Sequence, residues 1–228
     1  MKLSILIPVF NEERTIEKLL KKVISAPIRG WRKEIVVVDD CSTDKTHKIL
    51  AALTQKYKFK LIKHGMNTGK GGAVKTALKY ATGDIVLTQD ADLEYDPKDY
   101  KILLSAYGFK NPVVYGSRNL GATNRGYLIC YLCGRCLTLL NNLLYGSSIT
   151  DINTGYKLFR ADIIKNANLQ VDGFDFCHEI TAKVLRSGYK IKEVPINYYP
   201  RSYSEGKKVK VRDAILDLWT TIKYRFVK

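Results

Sequence analysis

The chain has 228 residues, 46% hydrophobic and 26% charged, proportions that exclude a disordered or collagen-like polypeptide and allow a packed core without disulfide staples. Thirty-eight basic residues against 22 acidic ones leave a net charge of +16, which implies an anionic partner: nucleic acid, a phosphorylated small molecule or an anionic membrane face. The five cysteines, an odd number in a long chain, argue against a secreted disulfide scaffold, and the first residues lack a basic leader and a cleavage site, so a reduced, cytosolic setting is expected.

The N-terminal half reads as βαβ units. Leu3 to Val9 is an apolar strand, and Asn11 is placed to cap the helix after it, with Ile16, Leu19, Leu20, Val23 and Ile24 at helical spacing. Ile35 to Val38 is a β-branched run typical of a buried parallel strand, followed by a polar loop and a helix carrying Ile49, Leu50 and Leu53. Phe59 to Ile62 is a third strand, Gly69 to Ala81 a third helix and Ile85 to Thr88 a fourth strand. This alternation predicts an α/β sandwich with ligands at the carboxyl ends of the strands. Beyond residue 117 the pattern loosens. Tyr127 to Tyr145 is long and apolar, Phe176 to Arg186 is helical, Ile191 to Ile196 is a strand, and Val209 to Phe226 is an amphipathic helix with Val211, Ile215, Leu218, Trp219 and Ile222 on one side. No internal repeat or low-complexity linker divides the chain.

Two acidic clusters follow β-branched strands and would lie on one edge of a parallel sheet. Asp90, Asp92 and Glu94 stand at spacing two, on one face if the segment is extended. Such crowding raises a carboxyl pKa unless a cation sits between the groups, and oxygen-only ligands favour Mg²⁺ or Mn²⁺. A polar loop whose acids cap a helix starting at Asp96-Pro97 is the plainer alternative. The loop Gly65 to Gly72 fails the P-loop spacing; a helix N-terminus with Lys70 can still face a phosphate, or the segment is a tight turn before a helix.

Taken in order, Pro8-Val9-Phe10-Asn11-Glu12, Val38-Asp39-Asp40-Cys41-Ser42-Thr43-Asp44 and Gln89-Asp90-Ala91-Asp92 resemble the family 2 glycosyltransferases. The resemblance implies a GT-A fold: a Rossmann-like, mixed but mainly parallel central sheet flanked by helices. It implies one domain over residues 1–228, with a nucleotide-sugar half (1–117) and a divergent acceptor and membrane-facing half (118–228). Pro8, Phe10 and Glu12 would border the base and ribose of a GDP- or UDP-hexose. Val38 with Asp39 or Asp40 would hold the base edge. Asp90, Ala91 and Asp92 would meet ribose, diphosphate and metal, with Glu94 as a further metal ligand. Lys70 would lie near the donor.

Gly116-Ser117-Arg118, Thr150 to Lys157 and Tyr199 to Lys208 resemble the branch that transfers mannose or glucose to polyprenyl or dolichyl phosphate. Cys177-His178-Glu179 departs from the more acidic pattern expected there. A phosphate monoester, largely a dianion at neutral pH, needs positioning more than a base, and Arg118, Arg125, Arg135 and Arg201 are suited to hold it. By resemblance Arg118 and Arg135 meet the acceptor phosphate, while Arg201 and Lys207 close over the donor diphosphate or the acceptor. Asp151 would act as a base, orient a ligand or simply shape a turn. Direct displacement with inversion is expected. Nucleic acid is the less favoured anionic partner, because uncompensated acids at the strand ends would repel its backbone.

A lipid acceptor requires a membrane approach at the cytoplasmic face. Tyr127 to Tyr145, charged only at Arg135, would lie in the bilayer interface or serve as plain core. The basic C-terminus, with eight basic and three acidic residues from Arg201 to Lys228, would add about 1 kcal/mol of attraction per cation. A membrane protein partner would do the same. Cys130, Cys133 and Cys136 read as buried small hydrophobes rather than cluster ligands.

Overall fold

The computed structural model describes residues 1–121, 127–202 and 211–227. In chain order they form β1 (Lys2–Val9), α1 (Ile16–Ser25), β2 (Arg32–Asp39), α2 (Thr46–Thr54), β3 (Lys60–Lys63), α3 (Gly69–Tyr80), β4 (Ile85–Thr88) and a 3-10 turn (Pro97–Asp99) leading into α4 (Tyr100–Ala106). There follow β5 (Val113–Ser117), α5 (Leu128–Tyr145), β6 (Lys157–Arg160), α6 (Ala161–Lys165), α7 (Phe176–Arg186), β7 (Lys192–Pro195) and α8 (Val211–Phe226).

The strands join in one sheet of order β3-β2-β1-β4-β6-β5-β7. β6 alone among these strands runs against the rest, pairing antiparallel with β4 and β5. Strict alternation along β1 feeds two cores: Leu3, Ile5 and Ile7 pack with α1 and α4, whereas Leu6 packs with α3 and α7. Because β1 lies between β2 and β4, with Val9 opposite Asp39 and Leu6 opposite Thr88, their carboxyl ends share one rim. The chain order reverses at β1 and β4, which opens a crevice at that rim.

Asn11 does not cap α1. Its φ of 49° turns the chain, and Thr15 is the N-cap, with no side-chain cap hydrogen bond. The Asn11 side chain instead accepts from the Thr43 amide at 2.8 Å, tying two rim loops together.

Two helices carry their apolar surface outward. α5 is long and apolar enough to cross a membrane, but only Leu137, Thr138 and Asn141 are buried; Leu128, Ile129, Leu132, Leu139 and Leu143 are exposed. This rules out plain core. Cys133 and Cys136 are also exposed and Cys130 half-buried, a correction to their reading as buried hydrophobes, since they lie on the outer side of this helix. α8 is inverted in the same way. Asp217, Thr220, Thr221 and Tyr224 face the protein, whereas Ile215, Leu216, Leu218, Trp219 and Phe226 face outward. The Tyr145 hydroxyl donates to the Thr221 carbonyl at 2.8 Å, joining the two helices.

The inward polar side of α8 holds a strained charge. One Asp217 oxygen is buried without a hydrogen-bond partner, and the other lies 3.5 Å from His178 Nε2. Burial, then the Asp175 and Asp213 carboxylates, push the Asp217 carboxyl up to about 7. Burial also pushes the His178 imidazole down to about 3, so it gives no positive charge in return at neutral pH. A carboxyl that binds its proton more tightly folded than unfolded contributes stability at low pH and loses it as pH rises through its folded value. Asp217→Asn should therefore gain melting temperature relative to the parent protein as pH rises from about 4 to about 7, between the unfolded and folded values of this carboxyl. Parallel melting curves across that range, by differential scanning calorimetry, would refute this placement of the charge.

Candidate functional site

The rim crevice is built from the loops after β1, β2 and β4, joined by the segment after β7. Asp96 caps the 3-10 turn by accepting from the Lys98 amide, so the plainer expectation of a capped turn is met there. The residues before it are not extended: Leu93 has φ 66°, and the chain turns. Asp92 and Glu94 consequently reach the same cation. Arg201 lies 3.1 Å from Glu12, 3.2 Å from Asp92 and 3.8 Å from Glu94. Its backbone amide donates to Glu94 Oε1 at 2.9 Å, and the Tyr198 hydroxyl donates to Glu94 Oε2 at 3.0 Å.

Asp92 still lacks enough positive charge. Burial raises its carboxyl to about 7, with further contributions from Asp90 and Glu94 that Arg201 only partly offsets. Asp90 turns instead to Lys70, 2.6 Å away. The three carboxylates expected to share a metal therefore do not meet at one point, and among the described residues no group of three acidic, histidine or cysteine side chains is assembled to hold an ion. The donor chemistry nevertheless suits a hard divalent cation: the side chains are all oxygen donors, and the Asp92 carboxyl is poised to lose its proton to one.

The start of α3 is occupied by the protein itself. Asp40 accepts from the amides of Thr68 and Gly69 at 2.9 and 2.8 Å. Gly71 and Gly72 donate to the carbonyls of Gly173 and Asp172. These amides are thus committed to packing, as a tight turn requires, and only the Lys70 side chain enters the crevice. The φ of 88° at Gly69, with the backbone of Asp172 pressed against it, leaves room for no other residue. Asp39 is likewise engaged, by the Ser42 amide at 3.0 Å and His47 Nδ1 at 2.9 Å. Both carboxylates proposed for the base edge are therefore held within the protein. Pro8 pairs with Val38 across β1 and β2, placing them at the same end of the crevice as the half-buried Phe10, and the Ala91 carbonyl accepts from the Thr15 hydroxyl at 2.9 Å.

The second half adds a cationic flank. Arg118 binds both oxygens of Asp151, each at 2.7 Å, and lies 5.1 Å from the Tyr198 ring centroid. Arg118 holds the buried Asp151 carboxyl below the usual range against the opposing effect of burial. This pairing fits an orienting role better than that of a proton acceptor. Arg135 donates to the Thr150 carbonyl at 2.8 Å. Arg118 and Arg135 therefore depend on adjacent residues of one loop. Arg125 and Lys207 lie outside the described residues. Sequence reading passed over Tyr198 and Glu193, which stand in no spaced motif, and gave Lys157 no role of its own although it ends the Thr150 to Lys157 stretch. Tyr198 connects the two flanks, touching Glu94 on one side and Arg118 on the other.

Comparison with known proteins identifies the family and the fold. The family model described as Glycosyl transferase family 2 matches residues 4–166. The chain is 30% identical over 211 residues to the dolichol-phosphate mannosyltransferase of Pyrococcus furiosus, covering 91% of this chain and 59% of that protein. It is 33% identical over 224 residues to the dolichyl-phosphate beta-glucosyltransferase of Saccharomyces cerevisiae, covering 86% and 66%. It thus spans less than two thirds of either relative. The solved structure of glucosyl-3-phosphoglycerate synthase from Mycobacterium tuberculosis with UDP superposes with a TM-score of 0.78 at 18% identity, covering 100% of this chain and 81% of that one. The same enzyme with Mn²⁺, UDP and glucosyl-3-phosphoglycerate gives 0.74 at 20%, covering 98% and 79%. These likenesses establish the GT-A fold of the sheet and its flanking helices.

Gly155 tests how tightly the crevice is packed. A methyl group there would strike the Asp90 carboxylate and the Tyr95 ring. Gly155→Ala should destabilise the protein by about 1–3 kcal/mol and displace Asp90; an unchanged urea midpoint would show that the contact is loose.

Proposed function

Because the chain belongs to glycosyl transferase family 2, we propose that it is a metal-dependent, inverting hexosyltransferase. In this reading it moves mannose or glucose from a GDP- or UDP-hexose to a polyprenyl or dolichyl phosphate at the cytoplasmic face of a membrane. One catalytic unit spans residues 1–228: β6 and β7, from the second half, complete the same sheet that β1 to β5 begin. The observation that carries the proposal is the meeting, across Tyr198, of an acidic pocket short of positive charge with an arginine pair.

In this assignment Pro8, Phe10, Glu12, Val38, Asp39 and Asp40 shape the nucleoside end. Asp90 and Asp92, with Ala91 between them, would hold Mg²⁺ or Mn²⁺, and Glu94 fastens the Tyr198–Arg201 segment beside them. A divalent cation there would supply Lewis-acid stabilisation of charge on the departing diphosphate. Lys70 and Arg201, now paired with the acids, are placed to exchange those partners for phosphate oxygens. Arg118 and Arg135 hold the acceptor phosphate by charge-assisted hydrogen bonds. One phosphate oxygen attacks the anomeric carbon, the bond to the diphosphate breaks with its electron pair, and configuration inverts. A dianionic acceptor has no proton to lose, which suits a site whose Asp151 is engaged by Arg118. A hydroxyl acceptor would need a general base, and the pairing of Asp151 with Arg118 speaks against it.

The outward apolar faces of α5 and α8 support a membrane approach. A helix that buries threonine and aspartate and exposes leucine and tryptophan suits a lipid surface better than water. α5 is tied to the protein from its middle onward: Arg135 donates to the Thr150 carbonyl, the Asn142 side chain to the Ile149 carbonyl and Tyr145 to the Thr221 carbonyl. It therefore lies along a bilayer surface in this reading rather than across it.

A screen of GDP- and UDP-sugars against farnesyl phosphate with Mg²⁺ or Mn²⁺ should yield labelled glycolipid; folded protein that gives none with any pair would reject the assignment. Asp92→Ala should abolish the thermal stabilisation that UDP or GDP confers with Mn²⁺, and an undiminished shift would remove Asp92 from the metal. Replacing Leu143 and Trp219 together by glutamate should release the protein from anionic vesicles in a sedimentation assay, whereas undiminished binding would place the membrane contact elsewhere.

A further inference from the structure

The loop from Thr150 to Thr154 is held by side chains from several elements, with Lys157 and His178 buried and Glu193 half-buried. Glu193 of β7 accepts from the Thr150 amide at 2.6 Å and from the Asp151 amide at 3.0 Å. Lys157 of β6, 1% exposed, donates to the carbonyls of Ile152 and Thr154 at 2.6 and 3.0 Å. His178 of α7 bonds the Asn153 side chain through Nε2 and Thr221 of α8 through Nδ1, each at 2.7 Å. Both amides bound by Glu193 belong to the residues that orient the two arginines. Asp151 takes the Arg118 guanidinium, while the Thr150 carbonyl takes Arg135 and also the Asn119 side chain at 2.6 Å.

We infer that Glu193 is a positioning residue for the acceptor phosphate: by clamping two consecutive amides of one loop, it sets the aim of Arg118 and Arg135 together. The inference rests on the acceptor role proposed above for those arginines. Neither guanidinium touches Glu193, so its effect passes through the loop backbone. A carboxylate is needed for this, because two amides donate to it at once. A glutamine offers a single acceptor oxygen and turns an NH₂ group toward the second amide, leaving that amide unpaired in a half-buried site. Preorganised guanidinium groups bind phosphate without first giving up rotamer freedom, so a loosened loop weakens binding even though both arginines remain. Lys157 and His178 support the same loop from its other side, and His178 also links it to the inner face of α8.

The test measures equilibrium binding of farnesyl phosphate in detergent micelles and of GDP and UDP with Mn²⁺, for Glu193→Gln, the pair Arg118→Ala with Arg135→Ala, and the triple variant. Glu193→Gln should weaken farnesyl phosphate binding about tenfold, as expected for about one lost buried hydrogen bond, while nucleotide affinity stays within about twofold of the parent protein. Unaltered nucleotide binding also shows that the variant is folded. In the background lacking both arginines, Glu193→Gln should add less than about twofold, because nothing remains for it to aim. Glu193→Asp, which keeps the charge with a shorter reach, should restore part of the affinity. Equal losses for lipid phosphate and nucleotide, a full tenfold loss without the arginines, or unchanged farnesyl phosphate binding would each overturn the positioning role. If the arginine pair variant itself bound farnesyl phosphate normally, the acceptor reading would fail, a result distinguishable because it appears without any change at Glu193.

Discussion

Carboxylates crowded at one rim of the sheet need a counter-charge, and the site is organised around that need. Parallel pairing of β1 with β2 and β4 brings Glu12, Asp92 and Glu94 to one crevice. Arg201 comes from the segment after β7, more than a hundred residues away in sequence, and Lys70 from the start of α3. Coulomb attraction at this partly dry rim outweighs the cost of ordering the long cationic side chains. Arg201 only partly offsets the burial and the neighbouring Asp90 and Glu94 carboxylates that raise the Asp92 carboxyl. A pocket of this kind attracts further positive charge, which is the electrostatic basis for assigning a divalent cation there.

The cationic flank rests on a different device. Arg118 and Arg135 come from the end of β5 and the middle of α5, yet both are anchored on Thr150 and Asp151. Their separation is set by a short loop whose backbone groups are bonded to Lys157 of β6 and Glu193 of β7. This explains why a buried lysine and a half-buried glutamate lie close to the crevice without entering it. Each compensates its desolvation by bonding two backbone groups, as buried polar groups must. Tyr198 closes the arrangement by touching Glu94 through its hydroxyl and lying near Arg118 through its ring, so the acidic and cationic flanks share one residue.

α5 and α8 connect this interior to the surface. Their inner faces carry the polar residues that hold the loops, and their outer faces carry leucine, isoleucine and tryptophan. Amphipathic helices of an ordinary soluble domain point the other way. The inversion places an apolar surface on the helix that carries Arg135.

The sequence alone determined the alternation of strands and helices through β4 and the acidic clusters that follow β2 and β4, because β-branched runs and short motifs are local signals. The 3.6-residue period also revealed α8 as amphipathic. It could not say which face turns inward, since periodicity is the same for a helix packed on a core and one laid on a bilayer. Nor could it supply Glu193 and Tyr198, which act through partners 42 to 104 residues away. The splitting of Asp90 from Asp92 and Glu94 was equally hidden, because it follows from a left-handed turn at Leu93 and from cations delivered by other elements. Tertiary structure decided these points, since long-range contacts determine which charges meet and which side chains are left outside.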